Sequence, residues 1–209
     1  MKKLINNWYT VSVYLAGATA LVAILAGVNT VTKLLLASIS VLFLHFYDES
    51  GSPGGFPLMG MKVLMGSSEI DKTKWSCNTL NSMFGNWGFL VLLYGLPLLL
   101  ADVRFLTLSA MLFLFAEVLM HLFLFPMRLK QLYNPGQITS VFGLGPIGIY
   151  YFATVFDPLE VFRYDYVLAV LWFIGIFVFC FRSKLYWSLG SKSGYELTDQ
   201  TAYGLWNKA

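Results

Sequence analysis

The chain contains only two histidines, and each stands four residues from a glutamate: His45 precedes Glu49, and Glu117 precedes His121. Residues four apart on a helix share a face, and Asp48, at i+3 from His45, joins the first pair on that face. Both pairs lie in sequence that otherwise excludes charge. An ionisable side chain in such a setting is expensive and marks a functional site. A bare carboxylate there must be paired, protonated or bound to a cation. Two imidazoles and two carboxylates on two helices can converge on one divalent ion, and nitrogen plus oxygen donors suit zinc or iron. Three protein ligands with one open position is the catalytic form of such a site. The ion would lower the pKa of a bound water, and a spare carboxylate would serve as base. We therefore assign His45, Glu49, Glu117 and His121 as metal ligands, and Asp48, Glu49 and Glu117 as the candidate catalytic carboxylates. Asp48 is a ligand, an acceptor for an imidazole N–H, or the base. The competing reading makes each histidine a structural partner of its own glutamate, or places Asp48 and Glu49 in solvent past the helix end.

The elements that must position these residues follow from composition. Hydrophobic residues make up 57% of the 209 and charged ones 12%, against roughly 25% charged in ordinary soluble domains. The mean hydropathy is +0.67. These values place the chain among integral membrane proteins. About 20 apolar residues span a bilayer as a helix, and six such segments are legible, near 8–28, 31–49, 76–100, 105–127, 137–156 and 164–181. The first is too long, and too clearly followed by further spans, to be a cleaved signal peptide. The expected fold is all-α, a polytopic bundle of six transmembrane helices occupying residues 1–183, with a cytoplasmic tail over 184–209. Residues 50–75 form the one long connection, cytoplasmic or re-entrant. Gly51-Ser-Pro-Gly-Gly-Phe-Pro breaks the helix before it.

The third segment opens with a polar face, Asn78, Asn81 and Ser82, which should look into the bundle or a cavity. Asn78 and Asn81 are accordingly candidate lining residues, together with Tyr133 and Asn134 of the turn Tyr133-Asn134-Pro135-Gly136. Pro97 is expected to kink the third segment, Pro126 to mark the exit of the fourth, and Gly143-Leu-Gly145-Pro146 to interrupt the fifth. Cys77 and Cys180 have no metal or redox spacing and read as reduced packing residues.

Orientation comes from Lys and Arg. With both termini cytoplasmic, the inner set is Lys2, Lys3, Lys62, Lys72, Lys74, Arg128, Lys130, Arg182, Lys184, Lys192 and Lys208, and the outer set is Lys33, Arg104 and Arg163. That asymmetry favours both ends inside, in the cytoplasmic membrane. It also puts the two histidines at one depth. At 1.5 Å per residue, His45 is about 6 Å and His121 about 9 Å from the inner end of its helix.

The sequence His45-Phe-Tyr-Asp48-Glu49, then Glu117-x-x-x-His121, then Asn134-Pro-Gly136, resembles the bacterial membrane proteins named for a His-x-x-Glu-Glu motif. The resemblance spans about residues 34 to 180. Asp48 stands where that family has Glu, and its shorter carboxylate reaches less far. The resemblance implies a helical bundle with an intramembrane polar site, but no substrate or reaction.

Three functions fit these features. The first is a metal-dependent enzyme, a hydrolase with zinc or an oxidase with iron, acting on a lipid-like or other apolar substrate from the membrane. The second is a small proton- or cation-coupled transporter. The third is a non-catalytic membrane partner of the immunity type. Nucleic acid is not expected as a partner, because the basic residues sit in loops and at helix ends and form no stripe. No phosphate loop or dinucleotide fingerprint is present, since Gly143-Leu-Gly145 lacks a third glycine and a preceding strand.

Overall fold

A computed structural model describes residues 1–206 of the chain; Lys208, counted above in the inner set, lies outside the described residues. Among the described residues the protein is helical and contains no strand. Six helices are long and apolar enough to cross a membrane: Trp8–Leu25, Thr30–Ser50, Thr79–Leu99, Arg104–Leu129, Gln137–Val155 and Arg163–Gly190. They agree with the six expected segments to within a few residues at most ends. The sixth differs most, because the helix resumes after Ser183 as Lys184–Gly190. Leu21, Ile24, Leu99, Ile149, Leu171 and Phe179 stand exposed on these helices, as lipid-facing residues must in a membrane protein.

The interior is held by large side chains. Trp8, Leu35, Leu42, Tyr94, Met111 and Leu114 are almost fully buried in one continuous core. Polar ties fix the helices against one another. Ser40 Oγ donates to the carbonyl of Ala16 at 2.8 Å, Trp87 Nε1 to Ser12 Oγ at 3.0 Å and Tyr94 Oη to the carbonyl of Ala110 at 2.9 Å. Such bonds are valuable where helices have no hydrophobic reason to prefer each other over lipid.

The helices run through their prolines, so the interruption expected in the fifth is absent and the fourth exits three residues beyond Pro126. Pro97, Pro126 and Pro146 neither end nor interrupt their helices. Each lies two residues beyond a π-helical turn, Val91–Gly95, Met120–Leu124 and Ser140–Leu144 respectively. Proline lacks an N–H and its ring collides with the carbonyl four residues back. Widening the preceding turn to i→i+5 bonding removes both problems while the helix continues. The fourth helix thus runs on to Leu129, and His121 sits inside a π turn.

Asn78 and Asn81 face inward as expected and are buried, but in hydrogen bonds and not in the wall of the cavity described below. The third helix starts only at Thr79, and Asn78 caps it, accepting from the N–H groups of Leu80 and Asn81, while Asn81 Oδ1 accepts from the N–H of Asn78. Asn78 Nδ2 donates to the carbonyls of Leu189, Gly190 and Lys192 at 2.9–3.0 Å. The polar face exists, but it is spent on a helix start and on the chain that follows the sixth helix.

The long connection, the tail and the N-terminal helix gather at one end of the bundle. The helix Phe56–Val63 lies in the long connection. The tail forms a further helix, Asp199–Tyr203, and packs Leu197 and Ala202 against Leu58 and Trp75. Lys72 bridges to Asp199 at 2.8 Å, and Trp206 Nε1 reaches Gln131 at 2.9 Å. Thr79 Oγ1 donates to Asn6 Oδ1 at 2.7 Å, so the N-terminal helix is tied to the same end. The backbones meet closely here. Gly55, at φ +101°, would carry a Cβ 2.6 Å from the carbonyl oxygen of Tyr203. Gly55→Ala combines a left-handed backbone with that clash and should cost about 1–3 kcal/mol. It should lower the thermal midpoint in detergent and speed tryptic cleavage at Lys192; an unchanged midpoint and cleavage rate would rule out this docking.

Candidate metal centre

Glu49 and His45 come from the last two turns of the second helix, Glu117 and His121 from the fourth helix and its π turn. The two imidazoles meet edge to face with ring centroids 4.9 Å apart. His45 Nε2 lies 3.4 Å from Glu49 Oε1 and 3.5 Å from Glu117 Oε2. His121 Nε2 lies 3.4 Å from each of the same two oxygens. Each of the two oxygens thus lies against both nitrogens. Ligand atoms on bonds of about 2.0–2.2 Å in a tetrahedral array stand about 3.3–3.6 Å from one another. His45, Glu117 and His121 form a compact set whose ligand atoms all lie within 4.8 Å of one another. Glu49 stands beside both imidazoles, outside that compact set. Glu49, the residue at the helix end, is 4% exposed, so it is a buried carboxylate and not a solvated one.

The histidine tautomers follow from the outer contacts. Asn134 Nδ2 donates to the carbonyl of His121 at 2.8 Å, which leaves Asn134 Oδ1 facing His121 Nδ1 at 2.7 Å. That oxygen only accepts, so Nδ1 carries a hydrogen, and in the neutral ring Nε2 presents its lone pair inward. His45 Nδ1 lies 2.9 Å from Thr139 Oγ1. The Thr139 hydroxyl has two further acceptors, Asp48 Oδ2 and the carbonyl of Gly136, each at 3.1 Å. With its one hydrogen given to either of these, the hydroxyl accepts from His45 Nδ1–H. Both rings are therefore oriented by a second layer with Nε2 inward, as metal-ligating histidines usually are. His121 Nε2 is also one of four buried side-chain polar atoms without a hydrogen-bond partner among the described residues, and the one that faces two carboxylates. The flanking oxygens, at 3.4 Å, do not meet hydrogen-bond geometry, so that lone pair is left for a ligand.

The turn Asn134-Pro135-Gly136 closes the site. Gly136, at φ +89°, packs directly on both rings: a Cβ there would fall 2.4 Å from His121 Cε1 and 2.7 Å from His45 Cε1. Asn134 N–H is held by Gln137 Oε1 at 3.2 Å. Of the carboxylates proposed from sequence, Asp48 does not join the central four. It is buried and reaches the site through Thr139. Of the proposed lining residues, Asn134 is at the site and Tyr133 is exposed beside it with no hydrogen bond to it. Thr139 was missed by sequence reasoning. The signal was available, a hydroxyl one helical turn after the Asn-Pro-Gly turn that must face whatever that turn covers.

A cavity of about 300 Å³ adjoins the cluster and is bordered by His45, Glu49 and Glu117. The rest of its wall is mainly aromatic and aliphatic, with Ser82 and Asn86 of the third helix among the polar members.

Residues 35–151 match the family described as a protein of unknown function with HXXEE motif. That stretch covers more than half of the chain and contains all four central residues together with Asn134, Gly136 and Thr139. No curated protein and no solved structure matches the chain at a significant level.

Gly136→Ala should displace both imidazoles and weaken divalent-metal binding at least tenfold, while Gly175→Ala, with open space around it, should leave binding unchanged. Thr139→Val should weaken it about 10–100-fold through loss of the outer contact, and Thr139→Ser should restore it. Metal titration of the purified variants checks both, and equal affinity across the set would dissociate these residues from the site.

Proposed function

We propose, from the premise that this chain belongs to the family of unknown function defined by the HXXEE motif, that it is a multi-pass membrane protein holding one divalent transition metal on His45, His121 and Glu117, with Glu49 beside it. The observation that carries this reading is the inward-facing, unpartnered Nε2 of His121 between two carboxylate oxygens at 3.4 Å. The donor set fits. Two imidazoles and the Glu117 carboxylate, mutually close, match zinc or iron in type, and Glu117 and Glu49 together balance the ion's charge inside an apolar bundle.

The adjoining cavity supports an enzymatic use, on a lipid-like or other apolar substrate. A bound zinc would supply Lewis-acid chemistry and an iron one-electron chemistry. The chain's own residues do the rest. His45, His121 and Glu117 fix the coordination geometry. Thr139 and Asn134 hold the ring tautomers. Glu49 and Glu117 both border the cluster and the cavity; Glu49, outside the compact set of three, is the carboxylate left to hold a proton during turnover. Asp48, connected to His45 through the Thr139 hydroxyl, stabilises the donated Nδ1 hydrogen and acts as a positioning residue. The cavity's aromatic wall keeps bulk water from the reacting group.

The basic residues at the end that carries the loops and both termini support placing that end in the cytoplasm, in the cytoplasmic membrane. The metal would then lie near the inner leaflet, and a substrate would enter from it.

Protein purified in mild detergent should retain about one equivalent of zinc or iron. The double variant His45→Ala/His121→Ala should retain less than a tenth of that by elemental analysis, with its helical circular dichroism preserved. Wild-type protein without any transition metal, and unable to take one up on titration, would refute the proposal.

A further inference from the structure

The cavity has two chemically distinct regions. Its deep wall is apolar, with Leu90, Phe113, Phe173 and Phe177 among its members. Its mouth carries Lys74, Ser76, Arg182, Tyr186 and Trp187. The two cations at the mouth are not equivalent. Lys74 is committed, with Glu69 at 3.3 Å and Asp71 at 3.9 Å. Arg182 has no carboxylate within 4.0 Å among the described residues. It donates only to the neighbouring carbonyl of Phe181 at 3.4 Å, and its guanidinium lies 5.8 Å from the centre of the Phe177 ring, which lines the cavity. An unpaired guanidinium is a forked donor matched to a carboxylate or phosphate. Apolar walls below it match a hydrocarbon chain, and a cavity of about 300 Å³ is within the usual range for small-molecule sites.

We propose that the cavity binds a single-chain amphiphile with an anionic head, the head on Arg182 and the chain against Phe113, Phe173 and Phe177. This rests on reading the cavity as the substrate chamber of the metal site. Phe113 of the fourth helix packs on Phe173 of the sixth at 5.8 Å; His121 follows eight residues later on the one and Arg182 nine later on the other, which puts them at about one depth on helices running the same way. The head held on Arg182 is therefore level with the cluster, and the chain lies deeper. A fatty carboxylate and a single-chain phosphate ester share the required chemistry.

The test uses the full chain in a neutral detergent and native mass spectrometry, with dodecanoate, dodecyl phosphate, dodecanol and dodecyltrimethylammonium as probes. One molecule of an anionic probe should bind, and the stronger of the first two identifies the source, carboxylate or phosphate. Arg182→Gln should lower anionic occupancy about tenfold and leave dodecanol unchanged, with Arg182→Lys between. Leu64→Trp, which fills the cavity from the wall, should abolish binding of every probe. Equal retention of dodecanol and the anions, preference for the cationic probe, or several adducts insensitive to Leu64→Trp would overturn the inference. The metal reading is tested separately. The His45→Ala/His121→Ala protein should still bind the anion, because Arg182 and the apolar wall are intact. A metal-loaded protein with no anionic adduct would sink this inference alone, and an anion-binding protein without metal would sink only the metal reading.

Discussion

Two carboxylates cannot be left unpaired inside an apolar bundle, and the architecture is arranged around that constraint. Removing an isolated charge from water costs several kcal/mol even after the protein relaxes. Glu49 and Glu117 face the same two imidazoles, each oxygen with a nitrogen at 3.4–3.5 Å on either side, an arrangement that satisfies the carboxylates when the nitrogens carry protons or when a cation lies between them. The arrangement needs helices two and four at a fixed distance and rotation. It needs the histidines presented by Nε2. It also needs a cover that excludes water. Each requirement is met by a separate local device.

The rotation of the fourth helix depends on its π turn, which carries His121 and is stabilised in place by Pro126. The tautomers depend on Asn134 and Thr139, which lie on either side of one turn. The cover is that turn itself, with a glycine where any side chain would strike both rings. Backbone and side-chain roles are thus divided within six residues: Asn134 and Thr139 aim the rings from outside, and Gly136 lets the chain approach them. Asp48 fits the same logic. Being too short and turned the wrong way to join the central four, it completes the outer layer through the Thr139 hydroxyl.

The segments outside the spans form the other half of the design. The long connection, the tail and the N-terminal helix converge at the end where the cluster lies, held by Asn78, Lys72 and the glycine contact at Gly55. They also contribute to the mouth of the cavity. Phe56, Met61 and Lys74 of the connection line it beside Arg182, Tyr186 and Trp187 from the end of the sixth helix. Access to the cluster is thus governed by parts of the chain that carry none of its central four residues.

Much of this was determined by the sequence alone, for a simple reason: hydropathy and helical spacing are local. Six apolar runs specify six helices, and an i, i+4 pair specifies one face whatever the neighbours do. The Asn-Pro-Gly turn and the two His–Glu pairs were legible in that way, and so was their family resemblance. Tertiary structure alone decided where the polar residues were spent. Asn78 and Asn81 look like a cavity face by spacing, but an asparagine at a helix start satisfies backbone N–H groups first, and the returning tail took its remaining donor. The prolines looked like breaks, but a turn of five lets a helix pass a missing N–H when its neighbours hold it. Thr139 became significant only because folding set it beside His45, 94 positions away in the chain. Periodicity fixes the direction of a side chain on its own helix. The partner it meets depends on how helices distant in sequence are rotated against each other, and packing alone sets that rotation.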